Sequence, residues 1–200
     1  MRPFTGSVYA TRDNDVVPKD KLDYIMGNPP FSGARTMTPE QKQDLFAIFG
    51  TANNAGNLDF VSCWFRKAAD YMAGTSIRAA LVATNSITQG EQAAILWPPL
   101  LEAGNRIAFA YRTFRWDSEA KSKAHVHCVI VGFTNGNIDK PILFDETGQA
   151  HPATNINPYL VDAPNIVVTS RKRPLCDVPE IGIGNKPIDG GNYLFSEAEM

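Results

Sequence analysis

Residues 78–87 read RAALVATNSI, a run that is apolar on both faces of a strand and turns polar only at its end. Such a strand needs cover above and below, which is the environment of a central parallel strand. Its surroundings supply that cover. Leu58, Val61, Phe65, Ala68 and Met72 fall at helical spacing and predict a helix over about 58–72, stopped by Gly74. Thr38-Pro39-Glu40-Gln41 opens an earlier helix, with Thr38 as N-cap, Pro39 in the first position and Gln41 closing a capping box. Leu45, Phe46 and Phe49 then share one face, and Gly50 is a natural stop. After the central run, residues 89–102 read as a further helix, which Pro98-Pro99 is expected to break or kink.

Three more stretches read as strands. Residues 22–27 form a short apolar run that ends at two prolines. Residues 106–116 and 125–133 follow the last helix, the second with Val126, Cys128 and Ile130 on one side and His127, Val129 and Val131 on the other. The polar loop DSEAKSKA between them is too long for a two-residue hairpin. Strand, helices, strand, helix, strand, strand is the order of an open α/β sheet, here expected to carry one reversed edge strand. After Phe133, Asn, Pro and Gly become frequent and the strongest apolar run is NIVVT at 165–169. A boundary is therefore expected near residue 150, with 1–150 as one domain and 151–200 as a connector or the start of another.

Composition narrows the function. The chain has 200 residues, 44% hydrophobic and 20% charged, as a soluble globular protein does. Its apolar runs are far shorter than a membrane span, and its first residues have no signal-peptide core, so a cytoplasmic location without membrane partners is expected. Cys63, Cys128 and Cys176 are odd in number and widely spaced, which supports neither a disulfide framework nor a metal site. Cys63 and Cys128 sit in apolar segments and read as buried thiols. A net charge of −2 argues against a wholly basic nucleic-acid binder but allows a local basic face.

The chemistry concentrates at DYIMGNPPF, residues 23–31. In open α/β sheets ligands bind beyond the carboxyl ends of strands, where Asn28 falls. Pro29 and Pro30 fix φ, exclude helix, and leave carbonyls with no N–H groups competing beside them. Asn28 adds a side-chain carbonyl and Phe31 a flat apolar face. Two acceptors and a stacking ring suit an exocyclic amine on an aromatic base. With both hydrogens held on oxygen, the nitrogen turns pyramidal and its lone pair is freed for attack on an electrophilic methyl group. Pro-Pro after a strand is also a common stiff loop, and these residues alone leave both readings open.

DYIMGNPPFSGA resembles the fourth motif of amino-methyltransferases acting on adenine in DNA, whose catalytic loop is Asn/Asp/Ser-Pro-Pro-aromatic. With LDFVSCWFRKAADYM, RAALVATNSITQGEQ, IAFAYRTFRWDSEAKSKAHVHCVIVGF, NINPYLVDAPNIVVTSRKRPL and GNKPIDGGN in that order, the chain is similar to the MmeI-like group from about residue 20 to 195. That group comprises large single-chain restriction–modification enzymes that methylate adenine with S-adenosylmethionine. The resemblance implies a partial Rossmann-like class I methyltransferase sheet, its C-terminal half, with residues 151–200 leading into a target-recognition region. It implies that Asn28 and the Pro29 carbonyl hold the adenine amine, that Phe31 stacks on a base flipped out of double-stranded DNA, and that Asn28 and Pro30 also meet the cofactor. Phe114 or Trp116 is the candidate second aromatic, with core packing as the alternative. Asn85 and Ser86 either line the same crevice or cap the following turn.

Arg112, Arg115, Lys121 and Lys123 cluster around the same loop and are candidates for phosphate contacts. Arg171-Lys172-Arg173 is a second basic run, read as a solvated face. His125 and His127 lack partners at ligand spacing and read as structural, with no metal site. The Gly-rich turn and acidic residue that hold the cofactor in such enzymes are not found before Asp23, so the main S-adenosylmethionine motif is expected in a missing N-terminal half of the same enzyme. Without that half, the edge of the catalytic strand is expected to lie exposed and the isolated chain to be inactive. An amino-methyltransferase acting on RNA or protein glutamine is the alternative enzyme. A remnant that binds DNA or a protein partner without methyl transfer is the alternative of another class.

Overall fold

The computed structural model describes residues 19–51, 54–116, 126–171, 173 and 175–178, with only the backbone at 115, 116 and 126. The chain divides into two compact units, Met1–Thr169 and Ser170–Met200. In the second, the described residues are irregular, and Leu175 and Val178 are exposed.

The first unit contains strand β1 (Tyr24–Gly27), helices α1 (Pro39–Phe49) and α2 (Ser62–Met72), strand β2 (Arg78–Thr84), helix α3 (Gly90–Glu102) and strands β3 (Arg106–Trp116), β4 (Val126–Thr134), β5 (Ile142–Phe144) and β6 (Ala150–Pro152). The capping box forms as its sequence requires. The Gln41 N–H donates to Thr38 Oγ1 at 3.3 Å, and the Thr38 N–H donates to Gln41 Oε1 at 3.0 Å. α2 is preceded by a short 3-10 turn, Ala55–Asn57, so it starts later than its spacing suggests. Leu58, Val61, Phe65, Ala68 and Met72 are nevertheless all buried.

The six strands form one sheet in the order β1-β2-β4-β3-β5-β6. β1 and β2 run parallel, while β4 runs antiparallel to both β2 and β3. β1, β2 and β3 therefore share one direction. β5 is parallel to β3, and β6 is antiparallel to β5. An open α/β sheet with one reversed strand among the long ones is as expected, but its position is not. The reversed strand β4 lies inside the sheet, between β2 and β3, rather than at the edge. Its composition explains the placement. Cys128, Val129, Val131 and Phe133 are all buried, and a strand so apolar is poorly suited to an open edge. The edges among the described residues are β1, where Tyr24 is 64% and Met26 81% exposed, and the short β6, which does run reversed against β5.

The helices cover one face of the sheet with a dense core. The Phe65 ring on α2 stacks on Phe133 of β4 at 5.4 Å and meets Trp97 of α3 edge-on at 5.9 Å. Ala79, Leu81 and Ala83 of β2 point into this core, while Ala80 and Val82 on the other face are half-buried. Pro98-Pro99 does not break α3, which runs on to Glu102. The two prolines deprive the Ala94 and Ile95 carbonyls of helical donors. Burial of Leu96, Trp97 and Leu100 outweighs that loss, and Trp97 Nε1–H anchors the helix to the Ile87 carbonyl at 2.8 Å.

Candidate active site

Strand β1 ends at Gly27, paired with Leu81, and the chain passes directly into Asn28-Pro29-Pro30-Phe31. Neither proline has an N–H to extend the ladder, so pairing stops here. Pro29 is buried, Asn28 and Pro30 are exposed, and Phe31 is half-buried with its ring packed against the core. Among the described residues no group hydrogen-bonds the Asn28 side chain. The tetrad thus presents a polar, uncommitted amide beside a rigid apolar pair at a strand's carboxyl end.

The segment after the tetrad is tied down. The Ser32 carbonyl accepts the Phe60 N–H at 2.8 Å, and the Ser32 hydroxyl donates to Gln41 Oε1 at 3.2 Å. A turn follows, closed by the Thr36 N–H on the Gly33 carbonyl at 2.9 Å. Inside it the Ala34 N–H donates to Asp59 Oδ1 at 3.1 Å. Asp59 is only 6% exposed. Its Oδ1 also accepts Gln92 Nε2–H at 3.1 Å, and its Oδ2 accepts the Thr84 hydroxyl at 2.9 Å. The Asp59 N–H donates in turn to Gln92 Oε1 at 3.0 Å. Asp59 escaped the sequence reading, although one acid inside LDFVSCWF was a signal, because a buried carboxylate must find donors.

Because β1, β2 and β3 run the same way, their carboxyl ends lie along one edge of the sheet, and most of the sequence candidates fall there. Asn85 and Ser86 follow β2 in a half-buried 3-10 turn, Asn85–Thr88. The Thr88 hydroxyl donates to the Asn85 carbonyl at 2.8 Å and to Asn85 Oδ1 at 3.0 Å, so Asn85 caps its own turn. Phe114 is half-buried and pairs in register with Cys128, which pairs with Thr84 on the other side. Phe114 is thus level with the end of β2 and two strand spacings, about 10 Å, away from it. Trp116 and Arg115 end β3, and their side chains lie outside the described residues, as do Lys121, Lys123 and His125. Arg112 and His127 are exposed. Arg171 and Arg173, in the second unit, are exposed as well, while Lys172 is outside the described residues.

Two irregularities that no local pattern announced shape β3. Four β3 residues, Tyr111 to Phe114, span what β4 covers in the three from Ile130 to Cys128, and a similar shift lies between Ile107 and Phe109. Each inserts one extra residue on β3. A bulge bends a strand and re-aims side chains, here in the stretch that holds Arg112 and Phe114.

A family model described as the MmeI DNA-methyltransferase domain matches residues 6–145, and another, the MmeI target recognition domain, matches residues 162–200. DNA methyltransferase A of Bacillus subtilis (strain 168) is 44% identical over 178 residues, covering 88% of this chain and 20% of the relative. The solved structure of the Type IIL restriction-modification enzyme MmeI in complex with DNA matches with a TM-score of 0.84 at 46% identity, over 93% of this chain and 26% of that one. The chain therefore spans a small part of the length of the relatives it matches. The likeness in structure bears out the partial Rossmann-like methyltransferase sheet expected from the sequence.

Proposed function

The chain belongs to the MmeI DNA-methyltransferase family, and from that premise we propose that it carries the amine-gripping loop of a DNA N6-adenine methyltransferase of a restriction–modification system. The observation that supports this reading is the Asn28–Phe31 tetrad at the carboxyl end of β1, with Asn28 exposed and its amide uncommitted among the described residues. In the proposed mechanism the Asn28 side-chain carbonyl and the Pro29 backbone carbonyl accept the two hydrogens of the adenine N6 amine. That grip favours a pyramidal nitrogen and releases its lone pair from the ring, so positioning supplies most of the catalysis. Phe31 stacks on the base, with Phe114 or Trp116 as the second aromatic. The adenine arrives extruded from double-stranded DNA, since its amine edge is occupied within the base pair. Arg112, Arg115, Lys121 and Lys123 hold phosphates around the same loop.

S-adenosylmethionine supplies the methyl group when bound. The uncommitted amide of Asn28 and the exposed ring of Pro30 fit the methyl end of that cofactor. The described residues offer no Gly-rich turn for the remainder. We therefore propose that the N-terminal half of the same enzyme completes the site in the cytoplasm, and that the 200-residue chain alone binds S-adenosylmethionine weakly or not at all. Residues 1–150 then form the back of the catalytic domain, and 151–200 lead into the target-recognition region. Micromolar binding of S-adenosylmethionine to this chain by calorimetry would overturn the division of the site.

The test of the whole reading is Asn28→Ala in the enzyme read from the natural reading frame. It is expected to abolish N6-methylation of duplex DNA while circular dichroism stays unchanged. An active variant, or wild-type activity on RNA or a glutamine peptide in place of DNA, would refute it.

A further inference from the structure

Asp59 is the one buried carboxylate among the described residues, and no cation within ion-pair distance among them accompanies it. Burying an unpaired charge is costly unless hydrogen bonds satisfy it, and here three do, all from neutral donors. Those donors come from three elements that converge on one edge of the sheet. Ala34 lies just past the tetrad, Thr84 ends β2, and Gln92 sits in the first turns of α3. A carboxylate accepts on both oxygens and donates nothing, so it meets all three without any of them reversing its role.

The tetrad lies between two fixed points. On one side is the β1–β2 ladder, paired as far as Gly27. On the other are Ser32, held by Phe60, and Ala34, held by Asp59. Of the four residues between, Pro29 and Pro30 have φ locked by their rings, which leaves few rotations to place Asn28 and Phe31. The second anchor therefore decides where the amide and the ring sit. We propose that Asp59 is the positioning residue of the Asn28–Phe31 loop, tying its far end to β2 and α3 so that the amide of Asn28 is held in place for the amine. This inference rests on the reading of the tetrad as a catalytic loop.

Two arms separate the inference from that reading. The first is backbone amide exchange, followed by NMR on the whole 200-residue chain. Asp59→Ala is expected to raise exchange at Ala34 by about tenfold or more, with the amides of β2 and β4 unaffected. Asp59→Asn keeps one acceptor oxygen for Ala34 and should hold the rate within about tenfold of wild type. An Ala34 amide equally protected in Asp59→Ala overturns the inference, whatever the loop does. Should Asp59→Ala not fold, Thr84→Val removes one of the three donors and is expected to raise Ala34 exchange by a smaller factor; no change there also overturns it.

The second arm is kinetic, in the enzyme read from the natural reading frame. A loop displaced by a fraction of an ångström loses alignment rather than affinity, so Asp59→Ala should lower kcat about ten- to a hundredfold with KM for DNA within about twofold. Asp59→Asn should recover most of kcat. A purely structural Asp59 would instead lower the melting temperature and leave kcat per folded molecule unchanged, and that result overturns the proposal. If Ala34 exchange responds to Asp59 but Asn28→Ala remains active, the catalytic reading fails while the anchoring of the loop stands.

Discussion

Replacing Gly132 with alanine would set a methyl group where the Phe109 ring already lies. A Cβ built on Gly132 meets Phe109 Cε1 at 2.1 Å, Cδ1 at 2.4 Å and Cζ at 2.7 Å. Carbon atoms in contact rest about 3.5–4.0 Å apart, so the ring would have to retreat by about 1.5 Å. The backbone of β4 has little freedom to yield instead, because it is paired with Ala80 on one side and Phe109 on the other. The ring's retreat would also disturb its edge-on contact with Phe144 at 6.5 Å. Overpacking of this kind costs about 1–3 kcal/mol. For a chain of this size each kcal/mol lowers the melting temperature by about 2–4 °C, so a fall of about 4–8 °C is expected for a mid-range cost.

Thermal unfolding of Gly132→Ala, Phe109→Ala and the double variant, followed by circular dichroism, measures this directly. With the ring removed, the new methyl group has room, and Gly132→Ala should cost close to nothing in the Phe109→Ala background. The pair should then show a coupling energy of about the full overpacking cost. A Gly132→Ala chain as stable as wild type, or an equal loss with and without the ring, would refute the steric argument.

Thr38→Ala removes the side chain that caps α1 and should destabilise the chain by about 1 kcal/mol in urea unfolding, whereas Thr38→Ser should be nearly neutral. Burial, and after it the Asp44 carboxylate, pushes the Cys63 thiol up to about 12, and burial raises Cys128 as well. At pH 8 a maleimide should therefore label exposed Cys176 quickly and the other two only on unfolding, as mass spectrometry of digests will show. The Thr147 hydroxyl, and after it His151, holds the Asp145 carboxyl well below its ordinary range. A depressed carboxyl stabilises the fold above its unfolded pKa and loses that contribution as pH falls. The β5–β6 hairpin should thus weaken below about pH 4, and Asp145→Asn should flatten that acid dependence in exchange measurements on Leu143 and His151.

What was legible from the sequence was local. Thr38, Pro39 and Gln41 announce a helix start because the capping bonds join residues three apart. β2 was legible because one face is buried and the other half-buried, which leaves little room for polar residues along it. Asn28-Pro29-Pro30 was legible because ring closure dictates φ and stops a ladder whatever surrounds it. The misplacements involve partners distant in sequence. A reversed edge strand does occur, as β6, but the reversed member of the 106–134 pair lies inside, because backbone pairing carries no mark in a single strand's composition beyond how apolar it is. Of the break or kink expected at Pro98-Pro99, the break does not occur, because tertiary burial of Trp97 and Leu100 exceeds the local cost. Asp59 stands out in a linear reading only as an acid in an apolar run, and its donors, Ala34, Thr84 and Gln92, come from either side of it in the chain. The bulges in β3 exist only relative to β4 and have no signature in β3 alone.

The interior place of β4 has a consequence for the order in which the molecule can assemble. β2 leaves one edge open until β4 arrives, and β3, although made earlier, reaches the other long strands only through β4. During synthesis the chain through Trp116 therefore has a β1–β2 fragment and a lone β3 strand with nothing to join them. Closure waits on residues 126–134, and pairing over such a separation is slow because the intervening chain must be ordered first. The loop that bears Asn28 stands on the β1–β2 fragment and on its anchors at Asp59 and Phe60, and that fragment joins β3 only at that moment. A frameshift or stop just before β4 would thus leave the tetrad on a two-stranded fragment whose β2 edge stays unpaired.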